Sequence, residues 1–261
     1  MESVDLSKIE GICANSTVIL PAISVSNAGQ LAVDLLIQST KAQKLGNIWH
    51  QAFIPLIGSH PYKEDITELC TEFEVYYLKE PKVIFAQFRS PVWENKEDVF
   101  LDDLIKWFES IKASKIVIIS SLYDYERNDS QIRSPHVRCC VCPHTTGLLD
   151  SVFVPLGVKP LELKATADTM TSGVMTETMH FPGAGFTKNL HLKCIQKGFP
   201  VVSLFKFCYD GDNTPEATEL ASTVDGWLNI VPTVKDKAKT LIQPPSWKYI
   251  FGGPSPQELF P

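Results

Sequence analysis

The pattern of apolar and polar residues predicts strands that alternate with helices. Thr17 to Ile23 is a β-branched, apolar run, and it leads into apolar residues at positions 28, 31, 32, 35 and 36, which share one face of a helix. Asn27 is the predicted cap of this helix, with Gln30 as its capping-box partner. Clusters of aromatic and β-branched residues predict further strands at 48–54, 73–78 and 83–88, the last two as a hairpin.

The same alternation continues in the rest of the chain. A helix predicted at 95–112 leads into Lys115 to Ser120, a continuous apolar run of the kind that parallel sheets bury between two helical layers. Strands are predicted at 137–142 and 201–207, followed by a helix with Thr214 as its cap and Pro215 at its first position. We therefore expect an α/β fold with a mostly parallel sheet flanked by helices: a single domain (1–252) and a flexible C-terminal tail (253–261).

Composition and charge narrow the class of protein. The 261 residues are 44% hydrophobic, which is enough for a sizeable core, and the net charge of -6 disfavours nucleic acid and anionic membranes as partners. The apolar run Val18 to Ile23 is too short to span a bilayer, and the residues before it are mainly acidic, unlike a secretory leader. A soluble, intracellular protein is expected. Periodicity weakens at 147–178, where the Thr-rich stretch 166–178 is interpreted as an exposed insertion or a mobile loop.

Cysteines and histidines cluster at one point of the chain. Cys139, Cys140 and Cys142 lie between His136 and His144, and thiols with imidazoles are the ligands that zinc prefers. Zinc sites pair two nearby ligands with a distant second pair, whereas these five residues share one predicted strand with alternating faces. The odd total of seven cysteines also fits reduced thiols. We predict partly buried free thiols and no metal.

Two loops have a partial likeness to ligand-binding motifs. Asp210 to Thr214 resembles a calcium loop, but Pro215 and Ala221 stand where that loop needs glycine and glutamate, so a strand-to-helix turn is predicted. Phe181 to Lys188 contains two glycines that could cradle a phosphate, with Lys188 as the countercharge. It lacks the spacing of a P-loop or a dinucleotide site, which favours a tight turn before a helix.

The polar segment after the buried strand is the best catalytic candidate. Ser120, Ser121, Asp124 and Arg127 follow the carboxyl end of that strand, where open α/β sheets bind ligands. Together with the turn Gly183 to Lys188 they would suit a nucleoside phosphorylase-like enzyme acting on a nucleoside or a small phosphorylated substrate. No nucleophile elbow surrounds the serines and no histidine is close in sequence, so a structural loop is favoured and the enzyme remains the alternative.

Five segments of the chain are similar, in order and spacing, to segments of a known family: Leu20 to Leu36, Tyr125 to Ser134, Phe181 to Lys188, Asp210 to Ala217 and Pro245 to Gly252. They resemble the proteasome assembly chaperone family, and the resemblance spans nearly the whole chain, weakest at 139–178. It implies a non-enzymatic α/β chaperone that forms a heterodimer with proteasome assembly chaperone 1. It further implies that this pair binds the α-subunit ring, promotes assembly of the 20S core and hinders premature association of α rings, in cytoplasm and nucleus and without a cofactor.

The resemblance also assigns a role to the last three residues. Related chaperones carry a C-terminal hydrophobic-Tyr-X tail that inserts between α subunits, and Leu259, Phe260 and Pro261 match it with Phe in place of Tyr. Phe keeps the ring but lacks the hydroxyl, so docking should weaken if the hydrogen bond of Tyr contributes. The heterodimer face is not identifiable from sequence, because burial in the core and burial in a partner give the same hydrophobic pattern. We expect the chain alone to be poorly soluble or to self-associate.

Overall fold

Apolar runs form the centre of one eight-stranded sheet, because helices cover both of its faces. The computed structural model describes residues 11, 13–64, 68–133, 136–162, 164–166, 176–178, 180–233 and 240–249. The strands within these residues are β1 (Thr17–Pro21), β2 (Gln43–Asn47), β3 (Ile57–Ser59), β4 (Leu69–Thr71), β5 (Phe73–Leu78), β6 (Val83–Phe88), β7 (Lys115–Tyr123), β8 (Val137–Val141), β9 (Lys159–Pro160), β10 (Lys164–Thr166), β11 (Thr176–Thr178) and β12 (Val201–Cys208).

The main sheet has the order β2-β5-β6-β1-β7-β12-β8-β9. Its middle four strands, β6, β1, β7 and β12, run parallel, with Thr17 opposite both Val83 and Lys115. The hairpin β5–β6 and strand β2 extend one side antiparallel, and β8 extends the other side antiparallel to β12 and parallel to β9. The mostly parallel sheet and the hairpin are therefore confirmed. Two short antiparallel ribbons, β3–β4 and β10–β11, lie outside the main sheet.

Helices cover both faces of the sheet. Those within the described residues are α1 (Ala28–Thr40), α2 (Glu97–Ser110), α3 (Asp129–Ile132), α4 (Gly185–Gln196) and α5 (Thr214–Leu228). Successive strand residues point to opposite layers. Ile19 belongs to the core under α1 and α5, whereas its neighbour Leu20 belongs to the core under α2 and α4. Single 3-10 turns lie at Val25–Asn27, Glu94–Lys96, Asp124–Glu126, Pro143–Thr145 and Pro245–Tyr249, and a π-helical turn at Leu149–Phe153.

The segment Ile48 to Ile54 is not a strand, which corrects the prediction made from its composition. Only an isolated bridge joins Phe53 to Val92, and His50 Nδ1 accepts a hydrogen bond from Ala52 N–H in a local turn. Phe53 is buried because its ring packs against other aromatic rings, 4.7 Å from that of Phe100. The composition of this segment therefore reflects aromatic packing. The strand at this side of the sheet is the polar segment Gln43–Asn47, which no apolar alternation marks.

Two predicted helix caps differ from the structure. Asn27 is at the N-cap of α1 but has a left-handed backbone (φ 54°), and its side chain makes no cap hydrogen bond. Thr214 is the first helical residue of α5 rather than its cap, so Pro215 is the second. The N–H of Thr214 donates to Asp212 Oδ1 at 2.9 Å, so an aspartate of the preceding turn satisfies this N–H at the start of the helix.

Some expectations fall on residues that the structure does not describe. The tail 253–261 and most of the Thr-rich stretch 166–178 lie outside the described residues, so the domain boundary and the exposed insertion stay predictions. Within the described part of the chain, each helix is too short or too polar to cross a lipid bilayer.

Candidate partner-binding surface

Loops after three neighbouring parallel strands meet at one edge of the sheet. Strands β1, β7 and β12 end at the same edge because they run parallel, and open α/β sheets bind ligands there. Ser26 Oγ donates to Tyr209 O at 2.8 Å, which ties the loop after β1 to the loop after β12. Tyr123 N–H donates to Pro182 O at 3.2 Å, which ties β7 to the turn before α4. These loops include parts of four of the five segments that resemble the chaperone family.

The two serines of the catalytic hypothesis are buried in this junction. Ser120 Oγ is hydrogen-bonded to Thr187 Oγ1 at 2.7 Å. Ser121 Oγ donates to Val25 O and is 2.9 Å from Ser24 Oγ. A nucleophilic hydroxyl needs an adjacent general base and access to substrate. Both hydroxyls instead join the sheet to the segments packed on it, which is the structural interpretation of these residues.

The turn around Gly183 is filled by protein atoms. Gly183 has a left-handed φ of 77°, and a Cβ built there would lie 2.5 Å from Val25 Cγ2 and 2.7 Å from Tyr123 Cε2. Glycine is therefore required for a close approach within the fold. Helix α4 already begins at Gly185, so the second glycine of the motif and Lys188 lie within the helix rather than before it. The tight-turn interpretation agrees with these contacts.

Asp124 and Arg127 hold each other in the loop after β7. Arg127 Nε donates to Asp124 O at 3.1 Å, its Nη2 lies 3.6 Å from Asp124 Oδ2, and the guanidinium lies over the ring of Phe207. Arg127 is thus engaged by its own turn and a neighbouring ring. The structure brings Ser120, Ser121, Asp124 and Arg127 to one edge of the sheet and gives each of them local structural contacts.

The surface that this edge presents is aromatic and acidic. Tyr125 is 74% exposed and stacks on Tyr123 with ring centroids 4.8 Å apart, and Tyr209 is 54% exposed. Loss of solvation, with nearby carboxylates, raises the pKa of Tyr125, so its hydroxyl stays protonated. We call this the carboxyl-end surface, comprising Tyr125, Tyr209, Asp124, Glu126, Asp210 and Asp212.

Its chemistry suits a protein partner. Tyrosines supply large contact areas at low cost in conformational entropy, and carboxylates complement lysine and arginine on the other molecule. Tyr125 and Tyr209 are not among the binding residues predicted from the sequence. The available signal was the position of two tyrosines in polar loops directly after buried strands.

The cysteines do not assemble a metal site. Cys139 and Cys142 are buried, and burial raises the pKa of Cys139 to about 12 and that of Cys140 to about 11, so both thiols are protonated near neutral pH. Cys140 Sγ lies 3.5 Å from His191 Nε2. His136 and His144 are exposed. Among the described residues, no three His, Cys, Asp or Glu side chains form a group suited to a metal ion.

Comparisons with known proteins agree with the resemblance seen in the sequence. A sequence model of a protein family, described as the PAC2 family, matches residues 18–224. A Xenopus tropicalis protein named proteasome assembly chaperone 2 is 33% identical over 248 residues, covering 94% of each chain. The human protein of that name is 31% identical over 254 residues, covering 95% of this chain and 96% of that protein.

A solved structure has the same fold. Pyrococcus furiosus PbaA, described as an archaeal homolog of proteasome-assembly chaperone, superposes with a TM-score of 0.61 at 14% identity, covering 85% of each chain. The family model covers well over half of this chain, and its relatives align over almost their whole length. The chain therefore belongs to the PAC2 family.

Proposed function

We propose that this chain promotes assembly of the 20S proteasome core as one subunit of a heterodimer with proteasome assembly chaperone 1. The heterodimer binds the α-subunit ring and hinders premature association of two α rings. It acts in the cytoplasm and nucleus, by binding rather than by catalysis, and needs no cofactor. The observation that carries the proposal is the 33% identity, over 94% of the chain, to a protein named proteasome assembly chaperone 2.

The carboxyl-end surface supports a function based on protein contacts. The serine hydroxyls and the glycine turn at this edge are engaged within the fold. The two tyrosines, Asp210 and Asp212 are exposed, and Asp124 and Glu126 are half-buried. We propose that this surface contacts lysine- and arginine-bearing regions of the α subunits. The tail residues Leu259, Phe260 and Pro261 then add a second contact between neighbouring α subunits.

The nucleoside phosphorylase-like alternative gains no support from the observed contacts. Ser120 and Ser121 are buried and hydrogen-bonded to other protein groups, and the space that a phosphate would need beside Gly183 is taken by Val25 and Tyr123. Open sites for substrate are therefore not formed by these residues.

A tagged pull-down from cell extract tests the proposal. The intact chain is compared with a variant lacking Leu259 to Pro261, and retained proteins are identified by mass spectrometry. We expect the intact chain to retain proteasome assembly chaperone 1 and α subunits, and the truncation to reduce only the α subunits. Equal recovery of α subunits by the intact and the truncated chain would reject the role of the tail. If the intact chain retains neither proteasome assembly chaperone 1 nor α subunits, the chaperone function is rejected and the enzyme alternative is tested next.

A further inference from the structure

Two tryptophans are exposed on segments that run side by side next to helix α2. Trp49 is 69% exposed and Trp93 is 49% exposed, and Ile54 and Val99 are exposed as well. We call these four residues the tryptophan surface. The uncovered parts of the two indole rings amount to about 200–300 Å², given the size of a tryptophan side chain. Large apolar side chains exposed on two adjoining segments are a candidate docking site for another molecule.

The backbone fixes the position of Trp93 beside the loop that carries Trp49. Phe53 and Val92 form an antiparallel bridge, and Trp93 N–H donates to Ala52 O at 2.7 Å. Phe53 and Val92 pack in the core, whereas Trp93 and Ile54, the next residue of each segment, are exposed. The bridge therefore holds Trp93 at the surface, directly after a residue that packs in the core.

The segment that carries the tryptophans is held in place before any partner binds. Lys96 Nζ donates to Gln51 O at 3.1 Å, and the ring of His50 lies 5.1 Å from that of Phe100. His50 Nε2 also lies 3.2 Å from Asp103 Oδ2. A preorganised apolar surface loses little conformational entropy on binding, so more of the contact energy remains as affinity.

The charge around the tryptophan surface selects among possible partners. Residues 94–103 include five acids and a single lysine, and Asp98 and Asp102 are exposed. Lys106 and Lys193 form ion pairs with aspartates of this segment, but the acids still outnumber these lysines. A second copy of the chain would place acid against acid, and a phosphate backbone would be repelled. The complementary partner is a protein face with an apolar centre surrounded by lysine and arginine.

We propose that the tryptophan surface contacts the other subunit of the heterodimer, and that the contacting face of that subunit has an apolar centre surrounded by lysine and arginine. This inference rests on the proposed function, and it adds the surface and the chemistry of the partner. A subunit that stays paired is the occupant that the surface fits, because lasting subunit interfaces are richer in apolar contacts than transient ones. Tryptophans near the centre of an interface also account for a large share of its affinity.

Titration of purified full-length chain against purified proteasome assembly chaperone 1 tests the proposal. The test variant is Trp49→Ala with Trp93→Ala. The matched control is Ile132→Ala with Val154→Ala, which removes two comparably exposed apolar side chains, 53% and 56% exposed, that lie outside the tryptophan surface. A third variant, Glu94→Lys with Asp98→Lys, reverses the charge beside the tryptophans. Thermal melting checks that each variant folds, and all of these side chains are exposed enough to be replaced without opening the core.

We expect the tryptophan variant to bind at least about tenfold more weakly, the charge reversal to weaken binding at low salt, and the Ile132 and Val154 control to bind like the intact chain. Unchanged affinity of a folded tryptophan variant would overturn the proposal, and an unchanged charge-reversal variant would overturn the basic partner face. If the intact chain forms a dimer that the tryptophan variant abolishes and that proteasome assembly chaperone 1 does not displace, a second copy is the occupant and the proposal is wrong. If the intact chain does not bind proteasome assembly chaperone 1 at all, the proposed function itself fails.

Discussion

Replacement of Gly183 by alanine tests how closely the turn before α4 packs against Val25 and Tyr123. A left-handed φ of 77° costs an alanine about 1–2 kcal/mol. The new methyl group would lie 2.5 Å from Val25 Cγ2 and 2.7 Å from Tyr123 Cε2, and overpacking of this kind typically costs about 1–3 kcal/mol. The two effects together predict that Gly183→Ala lowers the free energy of unfolding by about 2–5 kcal/mol.

Gly185→Ala is the matched control, only two residues away. No atom outside its own neighbourhood lies within 4 Å of a Cβ built at Gly185, and the residue begins helix α4. Alanine should therefore leave stability unchanged or raise it by up to about 1 kcal/mol. Urea unfolding of both variants, followed by circular dichroism, measures the difference through the midpoint at constant slope.

The result separates two roles for the glycine turn. A turn that packs within the fold predicts a large loss for Gly183→Ala and none for Gly185→Ala. A turn that cradles phosphate instead predicts that Gly183→Ala loses no more than the left-handed strain, about 1–2 kcal/mol, and also loses stabilisation by added phosphate. A loss below about 2 kcal/mol for Gly183→Ala would refute the packing argument, because left-handed strain alone reaches that value.

Three further predictions concern the core, the pH dependence of stability and the tail. Gly29→Ala should destabilise the fold by about 1–3 kcal/mol in the same urea assay, because its Cβ would lie 2.5 Å from Ile119 O; a stabilised variant would contradict the close approach of α1 to β7. Burial lowers the pKa of His191 from 6.5 to about 4, so the unfolded chain takes up a proton at higher pH than the folded one. Above pH 6.5 both states hold His191 neutral, and its titration takes nothing from the free energy of unfolding. As the pH falls from 6.5 to 4, protonation of the unfolded chain lowers the free energy of unfolding by about 3 kcal/mol. His191→Gln should show a shallower loss of stability between pH 7 and pH 4, and an equal slope would reject the assignment. Phe260→Tyr should tighten binding of the heterodimer to α subunits by about two- to tenfold, the value of one added hydrogen bond, as measured by biolayer interferometry; unchanged affinity would mean that the hydroxyl finds no partner there.

The buried part of the fold could be predicted because its sequence pattern has a single physical cause. Ile116 to Ile119 are all apolar because both faces of β7 are covered, and the strand lies where this run predicts, continuing to Tyr123. The polar edge strand Gln43–Asn47 was missed because it is only half-buried and shows no apolar alternation. At Ile48 to Ile54 the aromatic and β-branched composition served packing in a loop instead of pairing in a sheet.

The candidate site could be predicted only as to its location. The position of Ser120 and Ser121 at the carboxyl end of a strand follows from the sequence, but their burial depends on Thr187 and Ser24, which are 67 and 97 residues away along the chain. Exposed aromatic residues such as Tyr125 cannot be distinguished from core aromatics by composition, because only tertiary contacts determine which rings face water.

Direct mixing of purified chains tests the central claim, that this protein acts as a subunit of a heterodimeric assembly chaperone. Native mass spectrometry of the full chain, proteasome assembly chaperone 1 and α subunits would report the composition of each complex. We expect a one-to-one heterodimer that then binds assembling α subunits and keeps two α rings from pairing. A chain that stays alone at micromolar concentration, or a heterodimer that leaves the α subunits unbound, would contradict it.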